Sequence, residues 1–175
     1  LSYTGKFTKS KKTNIAKEEI SLVMCSLCKL VQLDRNFNPK YLYGKDYGYR
    51  SGINKTMTDH LNKIAKLLSS KVNLKKNDAI LDIASNDGTL LNSYKNKNIL
   101  KVGVDPIIAK FKKFYKPKDY QINSFFSYKS IIKRKIKNKF KIITALAVFY
   151  DLKNPNNFLK DLKKLIDKKK GIFLL

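Results

Sequence analysis

The sequence predicts an α/β domain built on a parallel sheet, and three observations predict it. The stretch Ala79–Leu91, AILDIASNDGTLL, reads as a short apolar strand, a small polar turn and the start of a helix. A second apolar run, Ile99–Val104, ends in an acid, Asp105, about 20 residues after Asp82. Two further apolar runs, Phe140–Val148 and Ile172–Leu175, flank an amphipathic stretch. Strands alternating with helical segments are the pattern of a sheet with crossover connections.

The first strand takes Ala79, Ile80, Leu81 and Ile83. The run is too short for a helix, and KKND before it and SNDG after it are turn-formers. A strand, a tight turn and a helix bring backbone N–H groups and a helix N-terminus close to a ligand. Asp82 sits late in the strand, where a carboxylate can accept hydrogen bonds from cationic or hydroxyl groups. Gly88 permits a left-handed backbone or a close approach. Asp105 stands where an acid grips a ribose hydroxyl pair in such folds. The turn lacks G-x-G-x-x-G, which disfavours a plain NAD site. A strand–turn–helix with no ligand competes with the binding reading on this segment alone.

Ala84-Ser85-Asn86-Asp87-Gly88 resembles the E-I-G-S-N-D-G-T-L-L form of the glycine-rich loop in class I S-adenosylmethionine-dependent methyltransferases. More narrowly, it resembles the sugar C-methyltransferases that carry an N-terminal zinc module. Asp82 replaces the usual Glu and Ala84 the usual Gly, so the backbone at position 84 must tolerate a Cβ. The resemblance implies a Rossmann-like core with helices on both faces of the sheet. It also implies an S-adenosylmethionine site made by Asp82, Ala84, Ser85, Asn86, Asp87, Gly88, Asp105 and Pro106.

With 175 residues the chain can bury one substantial core and a small appended module. At 43% hydrophobic and 11% aromatic it is globular rather than disordered. No run of 18 apolar residues exists, so no membrane span is expected. The start, LSYTGKFTKSKK, has no apolar leader segment and no initiator Met, which reads as a cytoplasmic chain that begins inside a longer product. The net charge of +25 invites a nucleic-acid reading. All but Arg35, Arg50 and Arg134 of the 38 basic residues are Lys, however, whereas phosphate and base-edge recognition favours the planar fork of Arg. Lys, Asn and Ile all have A/T-rich codons, so genome composition explains the charge as well. KRKIKNK (133–139) and KKK (168–170) read as solvated faces beside turns. The charge supports non-specific contact with polyanions and little more.

Residues 1–50 read as a first module, with residues 51–175 as the second. Its chemical feature is Cys25-Ser26-Leu27-Cys28. One C-x-x-C supplies two ligands where a structural zinc takes four, and half a zinc ribbon, a redox pair and two buried small residues all compete. In the resembled family a second C-x-x-C precedes G-L-V-Q-L; here Cys28 precedes Lys29-Leu30-Val31-Gln32-Leu33. The resemblance thus favours half of a structural zinc site. Tyr41, Tyr43, Tyr47 and Tyr49 cluster beside Arg50 and Ser51, either as packing or as a sugar-stacking surface. Asp46 through His60 matches D-Y-x-Y-R-S-x-x-x-x-T-M-x-x-H of the same family, which implies that Tyr47, Tyr49 and Ser51 face the substrate. The spacing of Met57, Leu61, Ile64 and Leu68 predicts a helix over about 54–68. His60, the only His, lies beside that stripe, and structural and catalytic roles are both open.

A helix is predicted from Gly88 to about Tyr94, then KNKN connects to the second strand. Pro106 is expected to start a helix that turns Ile107, Ile108, Phe111 and Phe114 inward. Tyr120–Phe125 is the third strand, and the resemblance makes Asn123 a contact for the adenine amino group. Phe140–Val148 is the fourth strand, running into Phe149-Tyr150-Asp151-Leu152 at the crevice end. Asn154-Pro155 caps a helix with Phe158, Leu159, Leu162, Leu165 and Ile166 inward. Ile143–Leu162 also matches I-T-x-L-A-x-F-Y-D-L-x-N-P-x-x-F-L-x-D-L of the family. Its core has seven strands and an H-E-H run beyond the fifth, so the chain is expected to be an internal fragment, catalytically inactive by itself.

The expected activity of the parent protein is methyl transfer from S-adenosylmethionine to a carbon of a nucleotide-linked keto-deoxysugar. His60 and Tyr150 are the in-chain candidates for catalysis. The alternatives are an RNA methyltransferase, or a non-catalytic zinc-ribbon module with a degenerate Rossmann domain.

Overall fold

The computed structural model describes residues 9–10, 19–44, 46–96 and 98–175. The N-terminal residues 1–8 and 11–18, on which the reading of the leader rests, lie outside them. The chain forms two compact units, Leu1–Gly48 and Tyr49–Leu175.

In the first unit β1 (Leu22–Met24) and β2 (Val31–Leu33) make an antiparallel hairpin, with Leu22 opposite Leu33. The cysteines sit at its tip: Cys25 N–H donates to the Leu30 carbonyl and Lys29 N–H to the Cys25 carbonyl. Lys29 turns the corner at a φ of 61°. Pro39 then starts α1 (Pro39–Leu42), and the Asn38 side chain caps it by accepting from the Lys40 N–H. The Tyr43 and Tyr47 rings meet edge to face at 5.3 Å.

The second unit is a five-stranded, all-parallel sheet. Its strands are β3 (Ala79–Ile83), β4 (Leu100–Val104), β5 (Tyr120–Ile122), β6 (Phe140–Thr144) and β7 (Ile172–Leu174), in the order β5-β4-β3-β6-β7. The first strand in sequence is thus the central one, and the chain reverses direction there. That reversal opens a crevice at the carboxyl ends of the strands, where ligands bind in such sheets. All five residues of β3 are buried, which is why the run reads as continuously apolar apart from Asp82.

Alternate β3 side chains serve two cores. Ile80 joins Leu61, Ala65 and Leu68 of α2 (Lys55–Val72), Leu90 and Leu91 of α3 (Thr89–Ser93), and Ile108 of α4 (Ile108–Phe111). Leu81 and Ile83 join Ile131 of α5 (Tyr128–Ile132) and Phe158, Leu162 and Leu165 of α6 (Pro155–Leu165) on the opposite face. Helices on both faces follow from the strand period of two meeting the helical period of 3.6.

Several boundaries differ from expectation for local reasons. The α2 helix runs one turn further, to Val72, and stops where Asn73 takes the left-handed conformation at φ 50°. Pro106 lies ahead of α4 rather than inside it, because the Asp105 side chain accepts the Ile107 N–H and shapes a turn first. The third strand ends at Ile122, where Asn123 turns to accept the Ala109 N–H. The fourth ends at Thr144, since β7 pairs no further than Leu174 and Ala147 adopts φ 55°. Asn154 and Pro155 start α6 as expected, with the Asn154 side chain accepting from the Asn157 N–H. Leu159 points outward, and Phe114 is only half-buried.

Phe158 joins the Phe126, Phe149 and Phe173 rings at 5.0, 5.9 and 6.5 Å. Phe158→Ala is expected to cost about 3–5 kcal/mol, and Phe158→Leu clearly less, by urea unfolding. Equal losses for the two would show that volume at this site does not hold the face together.

Candidate functional site

The loop between β3 and α3 is folded by three left-handed residues in alternation. Ala84, Asn86 and Gly88 take φ values of 59°, 50° and 76°. Ala84 therefore occupies a conformation that glycine adopts freely and that costs a residue with a Cβ roughly 1–2 kcal/mol, so the expected tolerance for a Cβ at this position is not what the backbone offers. The Ala84 N–H donates to the Val104 carbonyl at 2.9 Å, and the Gly88 N–H to the Ser85 carbonyl at 2.8 Å.

Asp105 holds the loop from the neighbouring strand. One carboxylate oxygen accepts the Asn86 N–H at 3.0 Å and the other the Ile107 N–H at 2.9 Å. Each oxygen keeps a second lone pair for a ligand hydroxyl. Burial raises the Asp105 carboxyl above its ordinary range, while those two N–H bonds lower it.

Asp82 is fully enclosed. The Thr144 hydroxyl on β6 donates to it at 2.6 Å. Burial pushes its carboxyl from 3.8 up to about 7, with the Thr144 bond opposing and the Asp105 charge adding to the rise. A cationic ligand at this edge would favour the ionised form.

Tyr115 supports the loop from below, and no pattern in the sequence singled it out. Its hydroxyl donates to the Asn86 carbonyl at 2.9 Å and lies 2.8 Å from the Ser85 hydroxyl. A phenol has one proton, so Ser85 is the donor in the second bond. The ring fills the space that Gly88 and Gly103 leave: a Cβ would come within 2.9 Å of it at the first and 3.0 Å at the second. Gly103, inside the strand KVGVD, was the available signal, since a glycine in a strand marks a close approach.

The side chains of Asn86 and Asp87 turn away from the loop's mouth to hold the segment Tyr49–Gly52. The Asn86 amide accepts the Ser51 N–H and donates to the Tyr49 carbonyl, both at 3.0 Å. Asp87 accepts the Gly52 N–H at 3.0 Å and also bonds the N–H and hydroxyl of Thr89, capping α3. The Arg50 Nε lies 3.6 Å from Asp87, an ion pair too long for a hydrogen bond, while its guanidinium stacks on the Phe114 ring at 4.0 Å. The sequence reading makes Asn86 and Asp87 cofactor contacts; in the structure the Asn86 side chain bonds the backbone of Tyr49 and Ser51, and that of Asp87 bonds the Gly52 N–H and the N–H and hydroxyl of Thr89.

The remaining predicted residues are placed as follows. Ser51 and Tyr49 lie on the segment just described, and Tyr47 belongs to the first unit. His60 is exposed on α2. Tyr150 is 77% exposed on the short turn Phe149–Asp151, beyond the carboxyl end of β6. Asn123 follows β5 with its carboxamide oxygen 2.8 Å from the Ala109 N–H. Pro106 is half-buried beside Asp105. In the first unit Cys25 and Cys28 are free thiols. Backbone N–H groups of Cys28 and Leu27 directed at the Cys25 sulfur, with the Cys28 thiol, lower it below the ordinary thiol range. Among the described residues no group of three or more His, Cys, Asp or Glu side chains could hold a metal ion, so the pair does not make a complete zinc site.

Two predictions test this geometry. Tyr115→Phe leaves the Ser85 hydroxyl and the Asn86 carbonyl without their buried partner and is expected to cost about 1–3 kcal/mol in urea unfolding. An unchanged midpoint would mean that the hydroxyl does not hold the loop. The second concerns pH. Asp82 binds its proton more tightly folded than unfolded, so its contribution is full below pH 4 and is lost as pH rises toward 7. Asp82→Asn is therefore expected to gain on the wild type over that window, by on the order of 4 kcal/mol. Parallel stability–pH curves for the two proteins would refute it.

No family model matches the sequence, and no curated protein matches it. Solved structures do match. The plantazolicin methyltransferase BamL, in complex with a triazolic desmethylPZN analog and SAH, superposes with a TM-score of 0.52 at 23% identity over 65% of this chain and 44% of that one. The plantazolicin methyltransferase BpumL with a triazolic analog and SAH gives 0.53 at 17% identity over 71% and 48%. BpumL in complex with SAH gives 0.50 at 17% over 65% and 44%. The chain spans under half the length of these structures. The second unit has the Rossmann-like fold of class I methyltransferases.

Proposed function

We propose that this chain is the cofactor-binding part of an S-adenosylmethionine-dependent methyltransferase whose acceptor is a nucleotide-linked keto-deoxysugar. The observation that carries the cofactor reading is Asp105. It is a buried carboxylate at the end of the second strand, fixed by two backbone N–H groups, one on each oxygen. The residues fit the group in chemistry as well. Asp82 and Asp105 concentrate acceptors at one edge, suited to an ammonium and a ribose hydroxyl pair, and the left-handed loop brings backbone near them.

Bound there, S-adenosylmethionine supplies an electrophilic methyl group on a sulfonium. The chain's own part is to hold the cofactor and to fix the neighbouring wall. Asp105 orients the ribose. The loop is kept rigid by Tyr115 beneath and by the segment Tyr49–Gly52 alongside, so alignment is settled before the acceptor arrives.

Support for the sugar acceptor is the interlocking of two family-like motifs. The Y-R-S of residues 49–51 lies against the S-N-D of residues 85–87 through the Asn86 amide and Asp87. Tyr49 and Ser51 are then the side chains next to the cofactor loop that would meet an acceptor. Tyr150 is the better placed of the two catalytic candidates, at the carboxyl edge of the sheet; His60 lies on an exposed helical face. Cys25 and Cys28 are read as half of a structural zinc ligand set, supported by the N–H groups aimed at the Cys25 sulfur.

Asp105→Ala is expected to weaken S-adenosylhomocysteine binding by roughly 1.5–3 kcal/mol in calorimetry, the loss of charge-assisted hydrogen bonds. Unchanged affinity would remove Asp105 from the site.

A further inference from the structure

We infer that the end of the second unit opposite the crevice is a docking face for an anionic lipid bilayer. The inference does not depend on the cofactor reading, because it concerns the other end of the sheet.

The five strands run parallel, so every connection that feeds a strand lies at the amino ends of the sheet. Each of those connections is basic. Lys75 and Lys76 precede β3, Lys95 precedes β4, and KPK (116–118) precedes β5. KRKIKNK (133–139) precedes β6, and KKK (168–170) precedes β7. Their cations are exposed. Asp78, Asp119 and Asp167 share these connections, but each accepts a backbone N–H within its own turn, and the positive excess is large. At the carboxyl ends Asp82, Asp87 and Asp105 gather instead, with Arg50 beside them. Genome composition explains how many lysines the chain has. It does not explain why every connection at one end carries them while three buried acids occupy the other. Nor do the helix dipoles, whose pull on lysine falls off within the last turn. Most of KRKIKNK lies beyond α5, and KKK lies beyond Ile166, the cap of α6.

The connections form one fixed surface. The Asn77 N–H donates to the Asn98 carbonyl at 2.8 Å, and the Asn138 carboxamide donates to the Asn77 carbonyl at 3.1 Å. The Asp167 N–H donates to the Phe140 carbonyl at 2.9 Å, where β6 begins. Four strand spacings of about 4.8 Å make the face roughly 19 Å wide. Cations of separate connections also act on one interior group. Burial lowers the Lys101 ammonium below its ordinary range, and the charges of Lys116 and Lys95 lower it further against that of Asp119.

The chemistry of the face favours headgroups over nucleic acid. Arg134 is the one guanidinium in these runs, so the planar fork that grips phosphates and base edges is scarce. None of the runs contains an aromatic residue on which an unpaired base could stack. Lysine is a hydrated point charge, and each one held near an anionic leaflet strengthens binding about fivefold. Ile132, 43% exposed at the start of the KRKIKNK run, is an apolar side chain that a headgroup layer can bury and a phosphate backbone cannot. Docked by this end, the chain turns its crevice toward the solution.

The test is sedimentation of the chain with vesicles of phosphatidylcholine, alone or mixed with phosphatidylserine. The wild type is expected to bind the mixed vesicles about tenfold or more tightly than the neutral ones, and to lose most of that binding between about 0.1 M and 1 M salt. Lys133→Glu/Lys135→Glu/Lys137→Glu should weaken it about tenfold or more. Lys168→Glu/Lys169→Glu/Lys170→Glu, on a separate connection, should do the same, so one variant that fails to fold leaves the other to decide. Lys63→Glu/Lys153→Glu/Lys160→Glu makes an equal change of net charge at exposed positions away from this end, and should stay within about threefold of the wild type. Equal losses in all three variants would show that net charge alone drives binding and would overturn the inference. A wild type that ignores the mixed vesicles would overturn it as well; if that protein binds duplex RNA with a steep salt dependence, the face belongs to nucleic acid.

Discussion

Asn86 is the residue on which the site depends. Its N–H goes to Asp105 just after β4, its carbonyl receives the Tyr115 hydroxyl, and its side-chain amide bonds the backbone on both sides of Arg50. Two donated and two accepted hydrogen bonds tie this one buried residue to three separate parts of the chain, and its backbone sits at φ 50°. Asparagine is among the few residues other than glycine that enter this region at modest cost. The loop is therefore not a flexible glycine turn but a braced one. Its rigidity comes from hydrogen bonds to neighbouring elements rather than from its own sequence.

The bracing has an electrostatic consequence. Asp82, Asp87 and Asp105 are each buried to within 6% of full enclosure at one edge of the sheet. Arg50 offsets part of that charge, through Asp87. Asp82 and Asp105 both have raised carboxyl pKa values, from burial in the first place. A fold that confines carboxylates in this way loses stability to them when nothing cationic is near, and regains it when a positively charged or hydroxyl-rich ligand arrives. A chain with a formal charge of +25 thus keeps its crevice acidic, which separates the chemistry of the site from the basic character of the surface.

The matched methyltransferase structures share the fold at identities of 17–23%, and at that distance the likeness is architectural. What distinguishes this chain within the architecture is local. Residues 49–52 and 85–88 are distant in sequence, yet they meet through hydrogen bonds between one motif's side chains and the other's backbone. Neither could drift freely without loosening the other.

The sequence by itself determined the parallel sheet and the helices that cover it. Apolar runs of strand length, the acid after the second of them and the Asn-Pro start of α6 are local signals, set by side-chain periodicity and by capping chemistry that neighbours in sequence supply. The left-handed backbone at Gly88 was legible from the glycine itself, whereas that at Ala84 was not. Only the tertiary structure decided what the polar side chains do. The Asn86 and Asp87 side chains bond residues 49–52, some 35 positions earlier, a contact that the motif alone does not show. Asn123 gives its oxygen to Ala109, and Tyr115 becomes the support of the loop because Gly103, a strand away, leaves room for its ring. Hydrogen-bond partners and close packing between distant segments depend on register and on the order of strands, and no local pattern of residues encodes either.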